Sequence, residues 1–365
     1  MNTVDVQLGD RSYSILIGSG ILASVGEMLK KVVPSESYFF VIDANVESTH
    51  GKVAMGSLVA DACIVEAIEK NKTAQTLEDI WSSMMASGCE RGTPVVTVGG
   101  GIVGDVGGFA ASTYMRGVPY VQVPTTLLAM VDASIGGKTG INLPLPNESG
   151  ILGKNMAGAF WQPRLVVADV DALQTLDDRQ LRCGLAECVK HAMLGHDDLL
   201  DWIKKHVSAI FARDADILVE LVTRCAEIKG NVVAADEREA GSRALLNLGH
   251  TFAHAIEPLP EQALFHGEAV SIGICAAMSC SEAMGLFPAE KADQLREVFT
   301  TIGLPTRLPL PVPVGELIAG MQADKKTVNS ILRLILPVVG GAEIVSGIDE
   351  GVLSLAWASV GASVS

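Results

Sequence analysis

Basic residues are scarce in this chain. Its 365 residues include 27 Lys and Arg against 42 Asp and Glu, a formal net charge of −15. Binding a run of phosphates needs a basic face, so no nucleic acid partner is expected, although a local basic pocket for a small anion stays open. Long apolar runs are also missing. The longest uncharged apolar stretch, AVSIGICAAMSCS, is too short to cross a bilayer, and the opening MNTVDVQLGDRSYS has no charged leader ahead of an apolar core. The expectation is therefore a soluble, unexported protein of the cytoplasm with no membrane partner. Paired cysteines are absent too: the seven stand at 63, 89, 183, 188, 225, 275 and 280, with no C-x-x-C among them. That argues against disulfides and against a thiolate zinc site, and it suits a reducing compartment. A metal in this protein has to be held by imidazole and carboxylate.

What is present is apolar content, 48% of the chain, over a length that accommodates about two domains. From the N-terminus, strand-like runs (YSILIGSG, YFFVIDANV, CIVEAI, TPVVTVGGG) alternate with helical ones (ILASVGEMLKKV, TLEDIWSSMMASG). Continuous apolar strands alternating with helices predict an α/β domain built on a parallel sheet covered on both faces. After about Asp169 the texture changes, and LLDWIKKHVSAIFARDADILVELVTRCAEIKGNVVAAD has long helical periodicity with few strand signals. The sequence thus predicts a nucleotide-type α/β domain over 1–170 and a mainly α-helical domain over 171–365, with no low-complexity linker and no internal repeat.

In TPVVTVGGGIVGDVGGFAAS, Gly99, Gly101 and Gly104 satisfy G-x-G-x-x-G after a buried strand. Such glycines serve either a tight turn and close helix packing, or the approach of bare backbone N–H groups to a pyrophosphate at a helix N-terminus. Asp43 ends the strand FFVID and Glu69 follows CIVEAI; each either caps a helix or accepts a ribose hydroxyl. Downstream, the Pro-Thr-Thr turn with Thr125 and Thr126, then Asp132 and Lys138 around a glycine pair, reads as a polar loop at the carboxyl end of the sheet, where ligands of open parallel sheets bind. Lys154 and Asn155 in GKNMAG add a cation and an amide.

Three of seven histidines fall in one stretch: His250 and His254 in NLGHTFAHAIE and His266 in FHGEAV. Positions i and i+4 share a helix face, so His250, His254 and roughly Glu257 point one way. The pair alone is equally readable as half-buried side chains bonded to carbonyls. A third imidazole favours a metal, since a catalytic zinc takes three protein ligands and keeps an open position.

The segments GGGIVGD, RGVPYVQVPTTLLAMVDASIGGKTGIN, GKNMAGAFWQP, GLAECVK, KGNVVAADERE, RALLNLGHTFAHAIE, FHGEAVSIG and DKK, in this order over nearly the whole chain, resemble the 3-dehydroquinate synthase family of sugar phosphate cyclases. The resemblance implies zinc, with cobalt also accepted, on Glu187, His250 and His266, and His254 turned to the substrate phosphate instead of the metal. It implies NAD held by Asp43, Glu69 and Lys72 around the adenosine and by Gly101, Ile102, Val103, Gly104 and Asp105 on the pyrophosphate, with Thr125, Thr126, Lys138, Lys154 and Leu173, Gln174, Thr175 and Leu176 completing the site. The implied substrate is a seven-carbon keto acid phosphate, 3-deoxy-D-arabino-heptulosonate 7-phosphate. Lys190, Asn155, Asn247 and His254 would contact its phosphate, with Arg116 reaching in from a second subunit of a homodimer. Arg243 and Lys138 would take its carboxylate, Asp132 and Lys229 its hydroxyls, and Lys325 or Lys326 would form a further anion clamp. Related cyclases such as 2-deoxy-scyllo-inosose synthase act on substrates without a carboxylate, so Arg243 and Lys138 favour the first activity. Two departures stand out: LPLPNESGIL between GIN and GKN, a longer turn over 143–152, and Trp161 where the family more often has Tyr or His.

Overall fold

The computed structural model describes residues 1–144, 152–323 and 332–363. In chain order its elements are β1 (Asn2–Val6), β2 (Tyr13–Gly18), α1 (Val25–Val32), β3 (Tyr38–Asp43), α2 (Lys52–Met55), β4 (Ala60–Val65), α3 (Ala74–Ala86), β5 (Val95–Gly99), α4 (Gly101–Thr113), β6 (Tyr120–Pro124), β7 (Lys138–Pro144), β8 (Leu152–Phe160) and β9 (Leu165–Asp169). There follow α5 (Asp178–Ala192), α6 (Asp197–Phe211), α7 (Ala215–Ala235), α8 (His250–Ile256), α9 (His266–Ala283), α10 (Ala289–Ile302), α11 (Val314–Ala323), β10 (Arg333–Val338), β11 (Gly341–Ser346) and α12 (Glu350–Ser359).

The apolar runs become the middle of a seven-stranded sheet in the order β1-β2-β9-β6-β5-β3-β4, parallel throughout except for the β1–β2 pair. β5, β6 and β9 are buried along their full length, and β3 up to its last residue. The two-residue period of a strand explains why a continuous apolar run is needed. Phe39 and Val41 face one core with Leu77, Ile80, Val103 and Val106, whereas Phe40 and Ile42 face a second core with Val25, Leu29, Val98 and Val121. Each fully buried side chain of this size contributes roughly 1.5–3 kcal/mol. GKTGIN and GKNMAGAF, read from sequence as polar loop, instead pair as the antiparallel hairpin β7–β8. Glycine, threonine and lysine weaken the strand signal there, and Gly140 opposite Gly158 lets the two backbones approach closely.

Two compact units emerge: Met1–Asp177 with Ala212–Arg238, and Asp178–Phe211 with Glu239–Ser365. A single cut after residue 170 assigns α7 to the second domain, but α7 packs on β1 and β2 of the first unit, where Asn2 Nδ2 donates to Thr223 Oγ1 at 3.1 Å. In the second unit α9 is apolar almost all round and buried among α5, α8, α10 and α12, which accounts for the AVSIGICAAMSCS run. Among the described residues no helix is long and apolar enough to cross a membrane. The second unit is mainly helical as expected, with the hairpin β10–β11 turning at Gly340 and Gly341 among its described residues.

Candidate functional site

Three helices of the second unit deliver the histidines and one buried carboxylate to a single point. Glu187 projects from α5, His250 is the first residue of α8, and His266 is the first residue of α9. The α5–α9 crossing is tight: a Cβ on Gly267 would lie 2.3 Å from the Cα of Cys183, so only glycine fits beside His266. Gly249, at φ 76°, turns the chain into α8 against α9, where a Cβ would meet the backbone nitrogen of Ile274 at 2.7 Å. Arg179 of α5 clamps the start of α9 through Glu268 Oε1 at 2.7 Å and the carbonyl of Ala263 at 2.8 Å.

Glu187 Oε1 lies 3.6 Å from His250 Nε2 and 3.4 Å from His266 Nε2, and the three ligand atoms all fall within 4.8 Å of one another. The other ring nitrogens are occupied. His250 Nδ1 lies 3.1 Å from the carbonyl of Leu248, which can only accept, and His266 Nδ1 lies 2.7 Å from Glu257 Oε1. Both imidazoles therefore present Nε2 to the cluster. Burial works against the Glu187 charge, but the Lys190 ammonium, ion-paired with it one helical turn on, and the two imidazoles hold its carboxyl well below the usual range. Burial drives His250 well below its ordinary value, with Glu187 opposing. At His266 burial is outweighed by Glu257 and Glu187, which raise it to about 9. His254 shares the α8 face, its ring perpendicular to that of His250 with centroids 5.8 Å apart, yet it is outside the three-residue group.

Just upstream, Ser242–Asn247 forms a 3-10 turn in which Arg243 is 1% exposed, and Asn247 Nδ2 donates to Glu239 Oε1 at 2.5 Å and to the Ala244 carbonyl at 3.2 Å. Lys325, Lys326 and most of the 143–152 turn lie outside the described residues.

In the first unit the chain reverses direction across the sheet between β3 and β5, whose carboxyl ends carry Asp43 and Gly99. A Cβ on Gly99 would stand 3.0 Å from the Cβ of Asp43, so the two are neighbours. α4 starts there with Gly100 as its cap and no side-chain cap bond, leaving its first N–H groups to a ligand or to water. Packing also uses these glycines, since a Cβ on Gly104 would lie 2.7 Å from Gln122 Oε1. Thr125 donates its N–H to the Gly99 carbonyl at 2.9 Å, and Thr126 Oγ1 accepts from Ala129 N at 3.2 Å.

Beside this turn, buried Lys72 joins Asp105 to Asn155 through its ammonium. Asn142 extends the group: its Nδ2 donates to Glu69 Oε1 at 2.8 Å, and its Oδ1 accepts from Asn155 N at 2.9 Å. Burial pushes the Asp43 and Asp105 carboxyls up, with Lys72 opposing at Asp105. Asn155 thus sits with the residues expected to hold the nucleotide. Asp132, in a helical turn instead of a loop, is ion-paired with Lys229 of α7. Arg116, Lys138 and Lys154 stand exposed, and Leu173 and Leu176 offer their carbonyls to Arg213 at 3.0 and 2.7 Å. Thr175 Oγ1 lies 3.1 Å from His50 Nε2, while Gln174 Nε2 donates to the carbonyl of Arg213. Sequence reasoning assigned no role to Glu257 or Asn142. The signal for Glu257 was its place on the His250 face; for Asn142 it was one amide closing the apolar run of β7.

A covered parallel sheet with an uncapped helix at its switch point, together with a helical unit that gathers two imidazoles and a carboxylate, defines a two-unit α/β class with a metal-type cluster. The solved 2-epi-5-epi-valiolone synthase from Streptomyces hygroscopicus subsp. jinggangensis 5008, described with NAD+ and Zn2+ bound, shares this fold at a TM-score of 0.87 and 28% identity, covering 97% of this chain and 98% of that one. A 2-deoxy-scyllo-inosose synthase complexed with carbaglucose-6-phosphate, NAD+ and Co2+ matches in fold at a TM-score of 0.85 and 23% identity, over 97% of this chain and 98% of that one. In sequence, the N-terminal 3-dehydroquinate synthase domain family matches residues 62–183 and the C-terminal one residues 184–327. The 3-dehydroquinate synthase of Caulobacter vibrioides is 42% identical over 97% of both chains. The chain belongs to the 3-dehydroquinate synthase family.

Proposed function

We propose that the protein converts 3-deoxy-D-arabino-heptulosonate 7-phosphate to 3-dehydroquinate and phosphate, a carbon–oxygen lyase reaction of the shikimate route that depends on NAD and a divalent metal. The observation that carries this reading is the cluster of buried Glu187 and His250 with half-buried His266 in a chain of this family.

The donor set fits a zinc or cobalt ion. Ligand atoms about 2.0–2.1 Å from a common tetrahedral ion lie about 3.3 Å apart, and the observed separations are 3.4 and 3.6 Å. A dinucleotide fits the uncapped start of α4 beside Asp43 at the switch point of the sheet. When bound, the metal supplies Lewis-acid polarisation of a substrate hydroxyl, and NAD supplies a hydride acceptor that is restored within one turnover.

The chain's own residues then bind, orient and shield. Glu187, His250 and His266 hold the metal. Asp43, Glu69, Lys72 and Gly101 to Asp105, with Thr125, Thr126, Lys154 and Leu173 to Leu176, hold and orient the dinucleotide. The buried Lys190 ammonium and the His254 imidazole donate hydrogen bonds to the phosphate, with Asn247 beside them, while Asn155 joins Lys72 and Asp105 on the nucleotide side. Those bonds strengthen as it gathers negative charge on leaving, and fixed donors away from water are most effective at that moment. Arg243 offers a planar fork to the carboxylate, aided by Lys138. Asp132 and Lys229, already ion-paired, orient hydroxyls. Lys325 or Lys326 adds an anion clamp, and Arg116 of a second copy completes the site in a homodimer. The conversion has no net redox change, so NAD is needed only in catalytic amount.

The test is a purified-enzyme assay with the heptulosonate phosphate, zinc and catalytic NAD. Equimolar phosphate and dehydroquinate are expected without NADH build-up. No turnover here, with turnover of a carboxylate-free sugar phosphate, would refute the assignment in favour of a related cyclase.

A further inference from the structure

We propose that Glu257 is a positioning residue that sets the tautomer and orientation of His266 as a metal ligand. The inference rests on the metal reading above and deepens it. Glu257 closes α8, with its backbone N–H on the Ala253 carbonyl at 2.9 Å, and its side chain is 3% exposed. A carboxylate there is disfavoured twice: it is buried, and it lies at the negative end of a helix. His266, whose Nδ1 lies 2.7 Å from Glu257 Oε1, offsets part of both costs.

The consequence reaches the opposite side of the same ring. A proton held on Nδ1 leaves the Nε2 lone pair directed at the cluster, where Glu187 Oε1 stands 3.4 Å away. His250 meets the same requirement differently, through the neutral Leu248 carbonyl at 3.1 Å. The two imidazoles are therefore not equivalent donors. The carboxylate-backed ring is the one that stands at the N-terminus of α9, the end least suited to carrying positive charge. Glu257 counters that helix field. It also places a second carboxylate, after Glu187, against the His266 ring.

The experiment compares the full-length wild type with Glu257→Gln and Glu257→Ala. Apo protein would be titrated with zinc(II) against a chromophoric chelator, and the visible spectrum of the cobalt(II)-loaded protein recorded alongside apo melting temperatures. Expected are zinc Kd values about tenfold weaker for Gln and about 10–100-fold weaker for Ala, with an altered cobalt spectrum in both. Gln preserves shape and an acceptor, so it reads the charge alone and does not depend on the Ala variant folding. Wild-type zinc affinity and an unchanged cobalt spectrum in Glu257→Gln would overturn the proposal while leaving the metal site intact. A wild-type chain that takes up neither metal would overturn both.

Discussion

At His250 and His254, two identical side chains four residues apart are given different work. One faces Glu187 through Nε2; the other stands one ring away, outside the ligand group. Replacing Glu187 by Ala should abolish stoichiometric zinc and reduce turnover by at least about 10²-fold, whereas His254→Ala should keep one zinc per chain and lose on the order of 10²-fold in phosphate release. Metal analysis beside a phosphate assay separates the two, and a His254→Ala protein purified without metal would reverse the ligand assignment. Helical spacing alone could not rank these histidines, because it reports a shared face and not where the face leads. Glu187 was still less visible, an acid in GLAECVK far along the chain from its partners; only the resemblance drew it in. Glu257 was legible as a neighbour of the pair, but its bond to His266 depends on how α8 meets α9.

The helices that carry the ligands owe their crossing to single atoms. Gly267 follows His266 directly, and any Cβ there meets Cys183 backbone at 2.3 Å. Gly267→Ala should force α5 and α9 apart, destabilising the protein by about 1–3 kcal/mol and weakening zinc binding well beyond what the lost stability explains. Denaturant melts and zinc titrations of the same preparation check this; a variant with wild-type zinc affinity would mean the crossing does not set the site. At this scale, elements with strong local signals were legible: the apolar strands β3 and β5, and the helix α3. The β7–β8 hairpin was not, since its glycines and lysines resemble a loop until Gly140 is seen opposite Gly158. Seven-residue α8 is too short for periodicity to define.

Across the whole molecule the thiols test the reading of cysteine usage. Six of the seven are buried, Cys63 half-buried, and none is in a disulfide. Burial pushes Cys89, Cys183 and Cys280 up to about 11 and Cys275 to about 12, and Cys63 is raised as well. Because the thiolate is the reactive form, at pH 8 only Cys63 should be modified by a thiol reagent, and slowly, with all seven reacting in denaturant. Mass spectrometry of labelled protein counts them; rapid labelling of Cys183 or Cys275 in the folded state would contradict the packing described. Fold class was legible because it rests on alternation summed over many residues. The path of the chain between units was not: the apolar stripe of α7 says that it must be covered, not by which sheet.

That path has a consequence for how the protein is made. The first unit holds α7, with Lys229 on Asp132 and Glu237 on Arg11, yet a whole stretch of the second unit, Asp178–Phe211, is translated before it. An emerging chain therefore leaves β1 and β2 unclad until residue 238 has left the ribosome, and a fragment ending at 170 would be born without one of its walls.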